Sequence, residues 1–234
     1  MKHITLLTLL VAAMGMPLQA QSINGQGEVV KQEIQLATLT GVKLGFQGNI
    51  VLTQGSTQKI VMEGQQNVLD NIKREVKNGT WGVYNKKNVR NAKPVTIYIT
   101  LANLQEVAVS GSGNITGTNR FRGLGDLGIA VSGSGNIDLE IEAADVSASV
   151  SGSGEVRLAG SAANLALRIS GSGDVEAEDL QVTDCTAHIS GSGNARVHAS
   201  GSLEATISGS GDLRYRGAAN VRSRVSGSGD IKKM

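Results

Sequence analysis

Val109-Ser110-Gly111-Ser112-Gly113-Asn114-Ile115 is the stretch that decides the fold, because the chain repeats it. Ser-Gly-Ser-Gly begins at Ser110, Ser132, Ser151, Ser170, Ser190, Ser208 and Ser226, at spacings of 22, 19, 19, 20, 18 and 18 residues. Val or Ile precedes every copy. Asn114, Asn136, Glu155, Asp174, Asn194, Asp212 or Asp230 follows, and then an apolar residue. A repeat of this length marks one supersecondary unit stacked on copies of itself.

The residues leading into each motif alternate. Leu127, Ile129 and Val131 do so, as do Leu165, Leu167 and Ile169, and Cys185, Ala187 and Ile189. Period 2 puts each triplet on one face of a strand. Cys185, the only cysteine, takes the slot of Leu165 and Leu203, so it reads as core and not as a reactive thiol. A second short strand follows each motif, for example Val156 and Leu158. No helical period separates the copies, and the units are too short for propeller blades. The expected fold is all-β: a right-handed parallel β-helix with about one turn per 18–22 residues. The i, i+2, i+4 pattern and the drifting repeat length favour that hand over the left-handed hexapeptide form.

Three chemistries compete for the motif. A phosphate loop needs a helix after its glycines, and none follows. Gly171–Asp174 resembles the repeat of calcium-binding β-rolls, but here the acidic residue follows glycine directly and three of the seven positions are Asn, whereas calcium takes six or more oxygens, several of them charged. No cofactor or metal is therefore expected, with Ca²⁺ the one alternative. The structural reading needs least: glycines bend the chain and let stacked backbones approach. Serines at Ser110, Ser132, Ser151 and their successors are expected to form a hydroxyl ladder, and Asn114 to Asp230 an amide and carboxylate ladder.

Upstream the pattern loosens. Met1–Ala20 reads as a signal peptide, with a polar start, an apolar run from Ile4 to Met16 and a small residue at Ala20. Residues 21–234 are expected to form a single domain, irregular over 21–103 and regular over 104–234. Gly48-Asn49-Ile50 looks like a worn copy of the repeat. Asn67 to Lys77 is expected to be a helix with Asn67 as N-cap and Asn78-Gly79 as C-cap. A basic loop of Lys86, Lys87 and Arg90 follows. The formal charge of +2 gives no argument for nucleic acid, and the six aromatic residues are few for stacking sugars or bases. No segment of the mature chain is long and apolar enough to be a membrane helix.

Register stacking would align outward residues into columns. One runs Thr116, Asp138, Arg157, Glu176, Arg196, Arg214, Lys232. A second holds Arg168 and His188, and a third Glu140, Glu178, His198 and Arg216. Arg157, Glu176, Arg196, Arg214, Arg168 and His188 form the candidate outward binding surface. No nucleophile–base–acid set stands out, so no catalytic residue is assigned. A polysaccharide-active β-helix enzyme is the rival reading, and a self-assembling structural repeat the third.

From Gly41 to Ile231 the chain resembles the bacterial family called "putative auto-transporter adhesin, head GIN domain". The resemblance rests on the worn Gly48-Asn49-Ile50 coil and the aliphatic-Ser-Gly-Ser-Gly-Asn/Asp-aliphatic units. It implies an exported β-helix (periplasmic, cell-surface or extracellular) with an adhesin-like role, and it supplies no catalytic residues. No auto-transporter barrel is expected, since the chain runs to Met234 without the long alternating strands of a barrel. The expected partner is a glycan or another cell-surface ligand, and no nucleic acid is expected. End-on self-association is expected through the C-terminal turn, with Lys232 and Lys233 as gatekeepers.

Overall fold

The computed structural model describes residues 22–234; the expected signal peptide at Met1–Ala20 lies outside the described residues. The chain opens with β1 (Ser22–Asn24), β2 (Val29–Ile34), β3 (Gly41–Leu44), β4 (Asn49–Gln54), β5 (Lys59–Gln65) and the short helix α1 (Gln66–Leu69). Next come β6 (Val76–Lys77), β7 (Thr80–Val83), β8 (Asn88–Arg90) and β9 (Thr96–Leu101). β10 (Glu106–Val109) and β11 (Asn114–Gly117) flank the first Ser-Gly-Ser-Gly. The strands then lengthen through β12 (Phe121–Gly133), β13 (Asn136–Gly152), β14 (Glu155–Gly171), β15 (Asp174–Gly191) and β16 (Ala195–Gly209). β17 (Leu213–Arg216), β18 (Asn220–Gly227) and β19 (Ile231–Lys233) complete the order.

From β10 onward neighbouring coils pair in parallel, one period apart. Val131, Val150, Ile169, Ile189 and Ile207 therefore stand in one column. Ile137, Val156, Val175, Ala195 and Leu213 stand in another. The result is a β-solenoid of about seven turns. Its inward columns are a continuous apolar core, and Cys185 sits between Leu165 and Leu203 as the repeat requires. A single coil has nothing to cover its own edges, so the coils are stable only as a stack.

Alternation runs unbroken through the motif. Ser132 and Ser134 face solvent, Gly135 is buried, Asn136 is exposed and Ile137 is buried. The first glycine makes the bend: from Gly133 to Gly227 this column has φ between 124° and 133°. L side chains rarely adopt that conformation. The second glycine is required by crowding. A Cβ on Gly154 would lie 2.2 Å from Gly135 O and 2.5 Å from Val131 Cγ1. Across the bend, Ser153 N–H donates to Gly133 O at 2.8 Å and Ser172 N–H to Gly152 O at 2.8 Å, so backbone bonding between coils continues through the corner.

The N-terminal end is built differently. β3 and β4 lie under β10 and β11, with Asn49 beside Asn114 and Ile50 beside Ile115, so the worn copy is a coil of the same stack. β7 and β9 lie under β3 and β4 as a further parallel coil. Below that, antiparallel strands close the end: β6 on β7, and β5 then β2 on β9. Trp81 is fully buried there and its Nε1–H donates to Lys73 O at 2.9 Å.

The expected helix over Asn67–Lys77 is confined to Gln66–Leu69. Val68, Leu69 and Ile72 are buried, as their spacing demands, but the sheet takes the backbone that would have continued the helix. Lys73 N–H bonds Tyr84 O at 2.8 Å, and Ile72 bridges Asn85. Asn67 is not the N-cap; its side chain accepts from Gln26 N–H at 3.1 Å and donates to Asn24 O at 2.7 Å. Asn78 and Gly79, at φ 50° and 75°, are the two-residue turn of the β6–β7 hairpin. Positive φ at both centres is what such a hairpin needs, and Asn-Gly supplies it.

Candidate binding surface

The first outward column is continuous. Thr116, Asp138, Arg157, Glu176, Arg196, Arg214 and Lys232 are register partners in turn. Four of the six candidate surface residues are thus brought together. Glu176 lies between two guanidinium groups, 3.1 Å from Arg157 Nε and 2.9 Å from Arg196 Nη1. Arg157 also bonds Glu155 at 2.8 Å, and that bond with the two carboxylate charges raises its pKa above the ordinary arginine value. A guanidinium held this firmly protonated offers fixed charge and no proton transfer. Arg214 makes no ion pair among the described residues. A shallow groove of about 300 Å³ between Asp174, Glu176, Asn194, Arg196, Asp212 and Arg214 follows this column.

Arg168 and His188 are also register partners, but in the second column, across the glycine corner from the first. The third column forms only at its end, where His198 pairs with Arg216. A register shift after Arg157 pairs Ala159 with Asp179, and a second pairs His198 with Gln181. Glu178, in the shifted stretch, turns to Arg196 at 3.6 Å.

The Asn/Asp ladder forms in two runs. Asn136 Nδ2 donates to Asn114 Oδ1 at 3.0 Å, and Asn114 Nδ2 to Asn49 Oδ1 at 3.2 Å. Asp174 Oδ1 accepts from Asn194 Nδ2 at 3.0 Å, Asn194 Oδ1 from Asp212 N–H at 3.1 Å, and Asp212 Oδ1 from Asp230 N–H at 3.0 Å. Glu155 breaks the ladder, its carboxylate turned to Arg157. The serines stack in register, but the bonds found among the described residues do not join motif hydroxyls. Coils ~4.8 Å apart are too far for a hydroxyl on one carbon to reach its neighbour, whereas an Asn or Asp can lean across. A second ladder escaped sequence reasoning: Asp126, Asp145, Asn164, Asp184 and Ser202 are successive partners, with Asn164 Nδ2 2.6 Å from Asp145 Oδ1. Its only signal is a polar residue at one fixed place before each apolar triplet.

Among the described residues, no three His, Cys, Asp or Glu side chains gather to hold a metal ion. Burial pushes the Cys185 thiol up to about 12, so it stays protonated at neutral pH and is no nucleophile. No described helix is long and apolar enough to cross a membrane.

At the N-terminal end the corner column changes character. Residues 45–48, Gly-Phe-Gln-Gly, stand where every later coil has Ser-Gly-Ser-Gly. One coil lower the corner swells to residues 84–95, which include β8, paired in parallel with β1. Between these corners lies a cleft of about 810 Å³ whose lining includes Phe46, Tyr84, Asn85, Asn88, Arg90 and Lys93. Sequence reasoning saw the basic loop but not the rings beside it.

Parallel coils of one period, charged outward columns and a cleft at the N-terminal end define the structural class: a β-solenoid repeat protein. The chain belongs to the family described as "Putative auto-transporter adhesin, head GIN domain", whose profile matches residues 38–219. The family is described as one of adhesins, which implies an extracytoplasmic protein, and it is not an enzyme family. Solved structures share the fold. One is called a putative adhesin from Bacteroides fragilis: TM-score 0.83, 25% identity, 91% of this chain and 100% of that one covered. Another is called a putative lipid binding protein from Parabacteroides distasonis: TM-score 0.76, 24% identity, covering 92% and 100%. A third is called a putative adhesin from Parabacteroides merdae: TM-score 0.70, 24% identity, covering 92% and 100%. No curated protein matches the chain.

Proposed function

We propose that the protein is an exported, non-enzymatic adhesin that holds a cell-surface ligand, a glycan in the first instance, on a rigid solenoid. The observation that carries this is the family match over residues 38–219. The site chemistry supports it. Glu176 lies between two arginines, Cys185 is buried and protonated, and Asp138, the other carboxylate of the first column, stands between Thr116 and Arg157 with no His or Cys partner in that column. Such a surface recognises and does not turn over. A glycan array read beside a product assay on the same polysaccharides tests it. Binding with no release of reducing or unsaturated sugar is expected; release of either would overturn the reading in favour of the polysaccharide-active enzyme.

A second reading, end-to-end self-association, is favoured by the exposed valines at both ends. Val29 and Val30 of β2 are 39% and 37% exposed, and Val221 and Val225 of β18 are 37% and 43% exposed. Neither strand has a partner on its outer edge among the described residues. Like ends would bring Arg222, Arg224, Lys232 and Lys233 against their own copies, so the β18 edge of one copy stacks on β2 of the next. Light scattering should show mass rising with concentration; a strict monomer throughout would sink this arrangement.

A further inference from the structure

We propose that the cleft between corner 45–48 and loop 84–95 is the ligand site, and that it takes an acidic oligosaccharide. The proposal rests on the adhesin reading above and gives it a place and a ligand class. Two of the chain's six aromatic residues, Phe46 and Tyr84, meet in this one cleft. Glycines seat both rings. A Cβ on Gly45 would lie 2.0 Å from Tyr84 Cδ1 and Cε1, and one on Gly48 would lie 2.6 Å from Phe46 Cε2. Tyr84 remains 37% exposed, in a wall that also carries the side-chain amides of Asn85, Asn88 and Asn91. Flat rings beside planar amides suit a pyranose, which has an apolar C–H face and a rim of hydroxyls.

Asn85 also lines the cleft, with its Oδ1 turned away from solvent. Asn88, in the same wall, offers both a donor and an acceptor. Among the described residues Arg90 makes no ion pair, and Lys93 pairs only with the 91% exposed Glu28, at 3.2 Å. A guanidinium without a partner at a pocket mouth selects a carboxylate, which it can hold with two parallel bonds. The cleft volume of about 810 Å³ falls in the range of small-ligand sites. The later coils cannot build such a pocket, because their Ser-Gly-Ser-Gly corners stack backbone on backbone.

Affinity electrophoresis in native gels cast with hyaluronan, alginate, dextran or poly-glutamate tests this. Hyaluronan or alginate should retard the protein, and salt should weaken the retardation. Apparent affinity should fall about tenfold in Tyr84→Ala and in Arg90→Ala, and persist in Tyr84→Phe and in Arg214→Ala on the solenoid wall. Circular dichroism and the melting temperature check that the variants are folded, and Arg90→Ala, an exposed change, keeps the test valid if Tyr84→Ala is not. Retardation equal in wild type and Arg90→Ala would overturn the site. Poly-glutamate alone, dextran alone, or none of the four retarding the protein would overturn the ligand class. Binding on the glycan array that survives both variants would leave the adhesin reading standing and refute only this site.

Discussion

The repeat coils and the N-terminal coils are the same structure under opposite constraints. In the repeats each corner glycine faces the glycine of the coil below, so every coil dictates the next: a Cβ on Gly152 meets Gly133 O at 2.4 Å. At the N-terminal border that dictation lapses. Gly111 sits over residues 45 and 46, has ordinary φ, and a Cβ there would find its nearest neighbour at 3.9 Å. Sequence monotony is therefore a property of stacking like on like. Where a corner is relieved of it, rings and an enlarged loop enter and a cleft opens.

The sharpest way to break this comparison is at the glycines. Gly154→Val should cost more than about 4 kcal/mol, enough to abolish folding of the repeats. Gly111→Ala, in the same motif, should stay within about 0.5 kcal/mol of wild type. Denaturant midpoints measure both, and equal losses would refute the contrast. Next in size is the capped end, where Trp81→Ala should cost about 3–5 kcal/mol by emptying a fully buried site and orphaning Lys73 O.

Cys185 probes the repeat core by pH. Its folded pKa is raised by burial from 9.0 to about 12, so the native state holds the proton more tightly than the unfolded chain. Stability from this group is intact below pH 9 and declines as pH rises toward about 12. Melting curves across that window should fall more steeply for wild type than for Cys185→Ala; parallel slopes would mean that the thiol is not buried. The smallest effect belongs to the outward column. Glu176→Gln, at 0.15 M salt, should shift the melting temperature by no more than the scatter between preparations, because both ion pairs are solvent-screened.

The solenoid was legible because its period is short and local. Val131, Val150 and Ile169 announce their register by recurring at nearly fixed distance. The N-terminal coils were only half legible: Asn49 pairs with Asn114 across 65 residues, and nothing local records that distance. Helical spacing at Val68, Leu69 and Ile72 was a true burial signal read in the wrong geometry, since hairpin β6–β7 captured the backbone. Asn78-Gly79 carried the right answer, being a stronger hairpin signal than a helix stop. The candidate surface was legible where register holds, at Arg157, Glu176, Arg196 and Arg214, and failed at Glu178, where a bulge shifts the strand. The cleft was hidden because its two corners belong to coils of very different length.

The order in which the chain visits the N-terminal coils has a kinetic consequence. Residues 41–54 are laid down first, but their neighbours on either side are formed by residues 80–101 and 106–117. The first coil cannot serve as a template that later coils simply extend. Its strands wait for loops of 39 residues on one side, Gly41 to Thr80, and 65 on the other, Gly41 to Glu106, an entropic barrier paid before the stack is complete. Once that three-coil nucleus exists, each further coil closes a loop of only 18 to 22 residues on a finished edge. Folding should therefore show one slow, N-terminal, rate-limiting event followed by fast propagation toward β19, and mutations at the β3–β10 seam should slow it more than equal losses in the repeats.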